Sequence, residues 1–195
     1  MNKKILLFDL GGVLVDLGDP VAAIGLDMSN EEFWAIWLAS PLVRAYETGR
    51  LTSAEFVTQF GAELGFTDAA EFDRLIRSWQ LPMFDESEKF LVALFSELEV
   101  ALLSNINEIH WQCVKSQTEI FSNFSKLFLS YETGNRKPDV AAYQDVIDHF
   151  DCDPGDIIFL DDTAHNVAAA QSLGMRSKQT TGHAEVRQAV DEFFG

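Results

Sequence analysis

Four short stretches of this sequence, KILLFDL from Lys4, EVALLSN from Glu99, SKLFLSY from Ser125 and DIIFLDD from Asp156, are apolar almost without interruption. A strand with one wet face alternates apolar and polar residues, whereas a strand covered on both faces has no reason to. These runs therefore predict buried strands. The segments that separate and follow them, SEKFLVALFSEL, INEIHWQCVKSQTEIF, PDVAAYQDVIDHF and TAHNVAAAQSLG, carry apolar residues at helical spacing. Pro138 suits a first helical turn, and Gly174 a position just past a helix end. Strands alternating with helices imply an α/β fold built on a doubly wound parallel sheet with right-handed crossovers. The C-terminal MRSKQTTGHAEVRQAVDEFFG adds a weak edge strand and a last helix.

Residues 17–84 break the alternation. SNEEFWAIWLAS has a capping box, Ser29 with Glu32 three residues on, and TSAEFVTQFGAELG repeats it with Thr52 and Glu55. This stretch is expected to be a small all-helical cap of about four helices, inserted after the first strand into a core made of residues 1–16 and 85–195. So placed, it lies over the carboxyl ends of the strands, the edge at which open α/β sheets bind ligands. A chain of 195 residues, 47% of them hydrophobic, is long enough for both parts.

The formal charge of −17, from 14 basic against 31 acidic residues, opposes nucleic-acid backbones, and no basic cluster relieves it. A site for an anionic substrate must therefore supply its own positive charge, from a metal ion or a few placed lysines. No run of about eighteen apolar residues occurs, and MNKKILLFDLGG lacks the apolar length and cleavage site of a secretion signal. The reading is a cytoplasmic protein with neither a nucleic-acid nor a membrane partner. Cys113 and Cys152 have no CxxC spacing and read as small apolar residues.

Three of the four apolar runs end on residues that a core rejects: Asp9, then Ser104 with Asn105, then Asp161 with Asp162. In a parallel sheet these ends share one edge. Lys137, just before Pro138, sits at the entrance to a helix. Taken singly, each has an ordinary reading as a cap, a turn, a solvated loop or a surface lysine. Together they supply two or three carboxylates for a divalent cation, a hydroxyl and backbone amides for an anion, and a lysine for the remaining charge.

FDLGGVLVD, LLSN, RKP and FLDDTAHN, in this order, resemble the four motifs of the haloacid dehalogenase superfamily, in its phosphatase branch with a small helical cap and a Rossmann-like core. The resemblance covers essentially the whole chain. It implies that Asp9 is a nucleophile that forms an aspartyl-phosphate, that Ser104 and the amides around Asn105 bind phosphate, and that Lys137 bridges nucleophile and phosphate. It makes Asp162 a direct magnesium ligand alongside Asp9, has Asp161 act through a water, and gives Asn166 the part of orienting the ligands. Gly11 is the departure: most phosphatases of the superfamily have a second aspartate there as general acid and base. The metal in such sites takes the backbone carbonyl of this position, which glycine still offers. Proteins with DLG in the first motif include sugar-phosphate phosphatases of the glucose 1-phosphate type.

The expected function is a magnesium-dependent phosphatase acting on a small phosphate ester, a sugar phosphate. A metal-independent dehalogenase and a non-catalytic or regulatory protein of the same fold are the alternatives. Asp16, where the first motif enters the cap, is a candidate substrate contact. His165 reads as solvated. Trp34, Trp37 and Trp79 fit a substrate pocket, but their helical spacing favours core. Oligomeric state is not legible.

Overall fold

The computed structural model of the chain describes residues 4–194; residues 1–3 and 195, the outermost of the expected core, lie outside it. Five parallel strands, β1 (Ile5–Phe8), β2 (Glu99–Ser104), β3 (Lys126–Leu129), β4 (Ile157–Asp161) and β5 (Arg176–Gln179), stand in the order β3-β2-β1-β4-β5. The chain thus builds outward from β1 to one side, then returns to build on the other, so β1 flanks the point where strand order reverses. Side-chain alternation divides the apolar run of β1 between two layers. Leu6 and Phe8 enter one hydrophobic cluster, Ile5 and Leu7 the other. All four are buried, as expected for a strand that helices cover on both faces.

After β1 come five helices: α1 (Pro20–Ile24), α2 (Asn30–Ala39), α3 (Pro41–Glu47), α4 (Ser53–Glu63) and α5 (Ala69–Ser78). The count is five, not about four, because residues 30–47 form two helices. Ser40 ends α2 and caps α3, whose first residue, Pro41, has no N–H with which to continue the earlier helix. Both expected capping boxes are present, Ser29 with Glu32 on α2 and Thr52 with Glu55 on α4. The two connections of this insert to the sheet pair with each other: Asp16 N donates to Pro82 O at 2.8 Å, and Phe84 N to Leu14 O at 3.0 Å. Phe33, Trp37, Phe56, Phe60 and Phe72 fill the centre of the insert and belong to the same cluster as Leu6 and Phe8. Insert and sheet therefore share one core.

The remaining helices are α6 (Ser87–Phe95), α7 (Glu108–Lys115), the single turn α8 (Ser130–Thr133), α9 (Val140–Phe150), α10 (Ala164–Ser172) and α11 (Gly182–Phe194). Gly174, at φ +93°, stands just past the end of α10 as expected. Pro138 does not: α9 starts at Val140 with Asp139 as its cap, and Pro138 belongs to the turn before it, joined to Lys137 by a cis peptide bond. Among the described residues no helix is long and apolar enough to cross a membrane.

Phe60 is fully buried against Trp37, Phe56 and Phe72, with ring centroids 5.1–6.2 Å apart. Phe60→Ala is expected to lower the unfolding free energy by about 3–5 kcal/mol, against about 1 kcal/mol for loss of the α4 cap in Thr52→Ala. Urea unfolding of the two variants measures the difference.

Candidate active site

Parallel register decides which strand ends meet. Phe8 pairs with Leu160 on one side and Leu102 on the other, so Asp9 comes level with Asp161, and Ser104 closes the neighbouring strand. The Asp9 N–H still donates to Leu160 O at 2.8 Å, which fixes the aspartate at the last rung of the ladder. The chain then turns sharply: Leu10 O accepts from the N–H groups of Val13, Leu14 and Val15.

Lys137 is the centre of the site. Its side chain is 1% exposed, and Nζ lies 2.7 Å from Asp9 Oδ1 and 2.6 Å from Asp161 Oδ2. Asn105 holds the lysine backbone at both ends: its Oδ1 accepts from Lys137 N, and its Nδ2 donates to Lys137 O, each at 2.8 Å. That side chain is therefore engaged with the lysine loop. Asp9 Oδ1 also accepts from Leu10 N at 2.6 Å, which leaves Oδ2 available for chemistry.

Asp161 departs from the sequence expectation of a water-mediated metal contact. It is fully buried, and its two oxygens accept from Lys137 Nζ, from Thr163 N at 2.8 Å, and from Asn166 Nδ2 at 3.0 and 3.1 Å. Those bonds take about four acceptor positions, all that a carboxylate has. Asn166 accordingly orients Asp161 and not Asp162, with its backbone carbonyl accepting from the Tyr143 hydroxyl at 2.9 Å. Asp162 is only partly buried, and its Oδ1 accepts from the Thr163 hydroxyl at 3.0 Å.

The glycine that the geometry requires is Gly12, next to the one that the motif drew attention to. Gly12 has φ +69°, and a Cβ there would stand 2.4 Å from Asp162 Oδ2. Backbone must pass that close for Asp162 to face Asp9. Gly11 lines the cavity with ordinary φ, and a Cβ there would meet only the end of the Leu17 side chain, at 3.0 Å.

Carboxylate oxygens of Asp9, Asp161 and Asp162 lie within 4.8 Å of one another. One lysine stands among these three acids. Burial, opposed by Lys137 and reinforced by Asp161, pushes Asp9 from 3.8 up to about 8. Asp162 is raised as well, mainly by burial. Burial pulls Lys137 down, but Asp161 and Asp9 more than reverse this and keep it a cation. Two underneutralised acids in a cluster of oxygens, with a glycine cradle behind one of them, suit a hard divalent cation.

Above the cluster lies a cavity of about 290 Å³, lined by Asp9, Gly11, Ser104, Asn105, Lys137 and Asp162 at its floor and by the insert at its roof. Trp37 and Trp79 are buried and Trp34 half-buried, yet all three also line this cavity. Asp16 does not join it. That residue is exposed, and its Oδ1 accepts from Gly18 N at 2.9 Å within a turn. His165 is exposed on α10. Sequence reasoning missed Glu47, His110 and Arg136, which line the cavity. Arg136 stood in the RKP motif beside Lys137; nothing local marked the other two.

Residues 3–174 match the family model of haloacid dehalogenase-like hydrolases. The chain is 28% identical to the drimenol cyclase drtB of Aspergillus calidoustus, over 98% of its own length but 37% of the length of the cyclase. It is 27% identical to the D-ribitol-5-phosphate phosphatase of Bacteroides thetaiotaomicron, with 96% of each chain covered. A solved structure of a HAD family enzyme from Bacteroides thetaiotaomicron, in complex with magnesium and inorganic phosphate, aligns with a TM-score of 0.79 at 27% identity, over 93% of this chain and 96% of that one.

A carboxyl group whose folded value is raised favours the folded state below its unfolded value, and that contribution is lost as pH rises through the folded value. With a chelator present, the stability of the wild type is therefore expected to fall more steeply between pH about 4 and about 8 than that of Asp9→Asn. Urea unfolding across this range checks it, and parallel curves would contradict the assignment.

Proposed function

The chain belongs to the haloacid dehalogenase-like hydrolase family, and from that premise we propose that it is a magnesium-dependent phosphatase, hydrolysing a small phosphomonoester such as a sugar phosphate through an aspartyl-phosphate. The observation that supports this most directly is Lys137, buried and bridging Asp9 and Asp161 beside the cavity at the strand ends. Resemblance to a D-ribitol-5-phosphate phosphatase and to a fold that holds magnesium and phosphate agrees with it.

Asp9 Oδ2 attacks phosphorus as the bond from phosphorus to the alcohol oxygen breaks, and the alcohol leaves with a proton from solvent. Water then attacks the aspartyl-phosphate, releasing phosphate and restoring Asp9. Ser104 and the amides around Asn105 hold the phosphate oxygens. Lys137 damps the repulsion between aspartate and phosphate, and Asp161, itself held by Asn166, keeps the lysine in place. Asp9, Asp162 and the Gly11 carbonyl would hold magnesium, which when bound offsets the crowding of negative charge. Metal-free dehalogenation shares the nucleophile, but it leaves three acids around one lysine in a site for an anion.

The test of this function is phosphate release by the purified protein, with magnesium, from a panel of phosphorylated metabolites and from p-nitrophenyl phosphate. No release from any ester would leave the non-catalytic alternative, and undiminished hydrolysis in chelator would overturn the metal requirement. Asp9→Asn is expected to lose at least about a thousandfold in turnover, roughly 4 kcal/mol of barrier. Asp162→Asn should raise the magnesium needed for half-maximal rate by about tenfold or more. Gly11 brings no acid to protonate the leaving oxygen, and general acid catalysis is typically worth about a hundredfold or more. Single-turnover rates should therefore rise steeply with leaving-group acidity across a series of esters. A flat dependence with chemistry limiting would mean that another residue supplies the proton.

A further inference from the structure

Residues 136–139 form one closed turn, in which Asp139 N donates to Arg136 O at 2.9 Å. Its inner residues are Lys137 and Pro138, and both of its outer residues, Arg136 and Asp139, carry charge. From the end of β2, Asn105 holds the turn through the Lys137 backbone. The helical insert holds it a second time, at the outer residues. Glu47 pairs with Arg136, its Oε2 lying 3.3 Å from a terminal nitrogen, and Arg44 pairs with Asp139 at 2.7 Å.

Arg44 and Glu47 both belong to α3, three residues apart and hence on one face of that helix. The residues they grip are three apart as well. Signs fix the direction of the pairing: Arg44 then Glu47 meets Asp139 then Arg136, so each cation faces an anion. Run the other way, Arg44 would face Arg136 and Glu47 would face Asp139, and both contacts would be repulsive.

The two pairs differ in their surroundings. Arg44 and Asp139 are half exposed, and a pair of that kind adds little by itself. Arg136 and Glu47 are 15% and 8% exposed, and losing one partner of a buried pair strands the other. Burial pushes the Glu47 carboxyl up, opposed by Arg136 first, then by a hydrogen bond from Trp37, by Arg44 and by Lys137. The acid at the end of α3 thus shares the electrostatic surroundings of the lysine. Neither Arg44 nor Asp139 lines the cavity, so any effect of theirs on the reaction passes through the turn.

We propose, resting on the phosphatase reading, that α3 clamps the Lys137 turn, and that Glu47 with Arg136 and Arg44 with Asp139 are positioning residues that set where the lysine ammonium stands between Asp9 and the phosphate. The insert then contributes to the chemistry at the sheet edge as well as roofing the cavity. Displacing a charged group by about 1 Å is enough to cost a reaction about a hundredfold, which is why a clamp outside the reacting atoms matters.

The experiment uses two probes with magnesium: inorganic phosphate, whose Kd is measured by calorimetry, and p-nitrophenyl phosphate, for kcat/KM. Calorimetric stoichiometry gives the binding-competent fraction, so a poorly folded variant does not mimic a weaker site. Arg44→Asp and Asp139→Arg each set like charges against one another at the exposed pair. Asp139 makes no side-chain bond to α9, so its replacement removes no such cap bond. Each single variant is expected to weaken phosphate binding and to lower kcat/KM by about threefold or more, and the exchanged pair carrying both to return within about twofold of wild type. At the buried pair, Arg136→Met is expected to cost about tenfold or more in both quantities, and Arg136→Lys, which keeps the charge, to recover most of that loss. Restoration of phosphate affinity by exchanging charges outside the cavity is a result that a merely structural role does not give. Variants that lose stability to urea while both quantities stay at the wild-type values overturn the proposal and leave the phosphatase reading standing, as does an exchanged pair no better than its single variants. A wild type that binds phosphate without hydrolysing the ester ends the phosphatase reading, while the phosphate Kd still decides whether the clamp acts. A wild type that does neither takes both down.

Discussion

The buried ammonium of Lys137 is the interaction on which the site depends. Three carboxylates within 4.8 Å of one another, two of them buried, repel each other in a medium that screens poorly. The lysine lies against two of them at 2.7 and 2.6 Å and is held in turn by the reciprocal bonds of Asn105. Removing one partner of such a cluster strands the other charges in the interior, which typically costs about 3–5 kcal/mol. Electrostatics and folding are therefore coupled here: the same contacts that aim the Asp9 carboxylate also make its burial tolerable.

Around that cluster the backbone has little freedom. Asp9 is the last paired residue of the central strand, Leu10 O gathers three N–H groups into the turn that follows, and Gly12 passes against Asp162 where no Cβ fits. Such a turn leads the chain straight up from the sheet edge into the helical insert. The pairing of residues 14–16 with 82–84 returns it beside its point of departure. The insert can thus contribute the roof of a cavity whose floor is the sheet edge, and a shared hydrophobic cluster fixes one upon the other.

That cavity separates two tasks between two surfaces. The charged cluster stays on the strand ends, where register sets distances. Aromatic faces, with Glu47, His110 and Arg136, line it from the insert, from α7 and from the residue before Lys137, where side chains can differ without disturbing the strands. Rigid chemistry below and variable lining above is the division that lets one fold serve many substrates.

The buried parallel strands, the helices of the insert and the polar residues at the strand ends were legible in the sequence because each rests on a local rule. Uninterrupted apolar runs mean strands covered twice, capping boxes mean helix starts, and polar residues closing buried runs mean an edge with chemistry. The fifth helix of the insert was not legible because Ser40 both ends one helix and caps the next, and Pro138 was misplaced because its turn precedes the cap that starts α9. What Asp161 does was decided only by the tertiary structure. An aspartate in a motif offers the same carboxylate to a cation or to a lysine, and here three donors, Lys137 Nζ, Thr163 N and Asn166 Nδ2, take its lone pairs. The same holds for Glu47 and His110, far apart in the chain and unmarked locally, which only packing brings to the lining of one cavity. Local chemistry is written in neighbouring residues, but which partners a polar group meets depends on every element that packs around it.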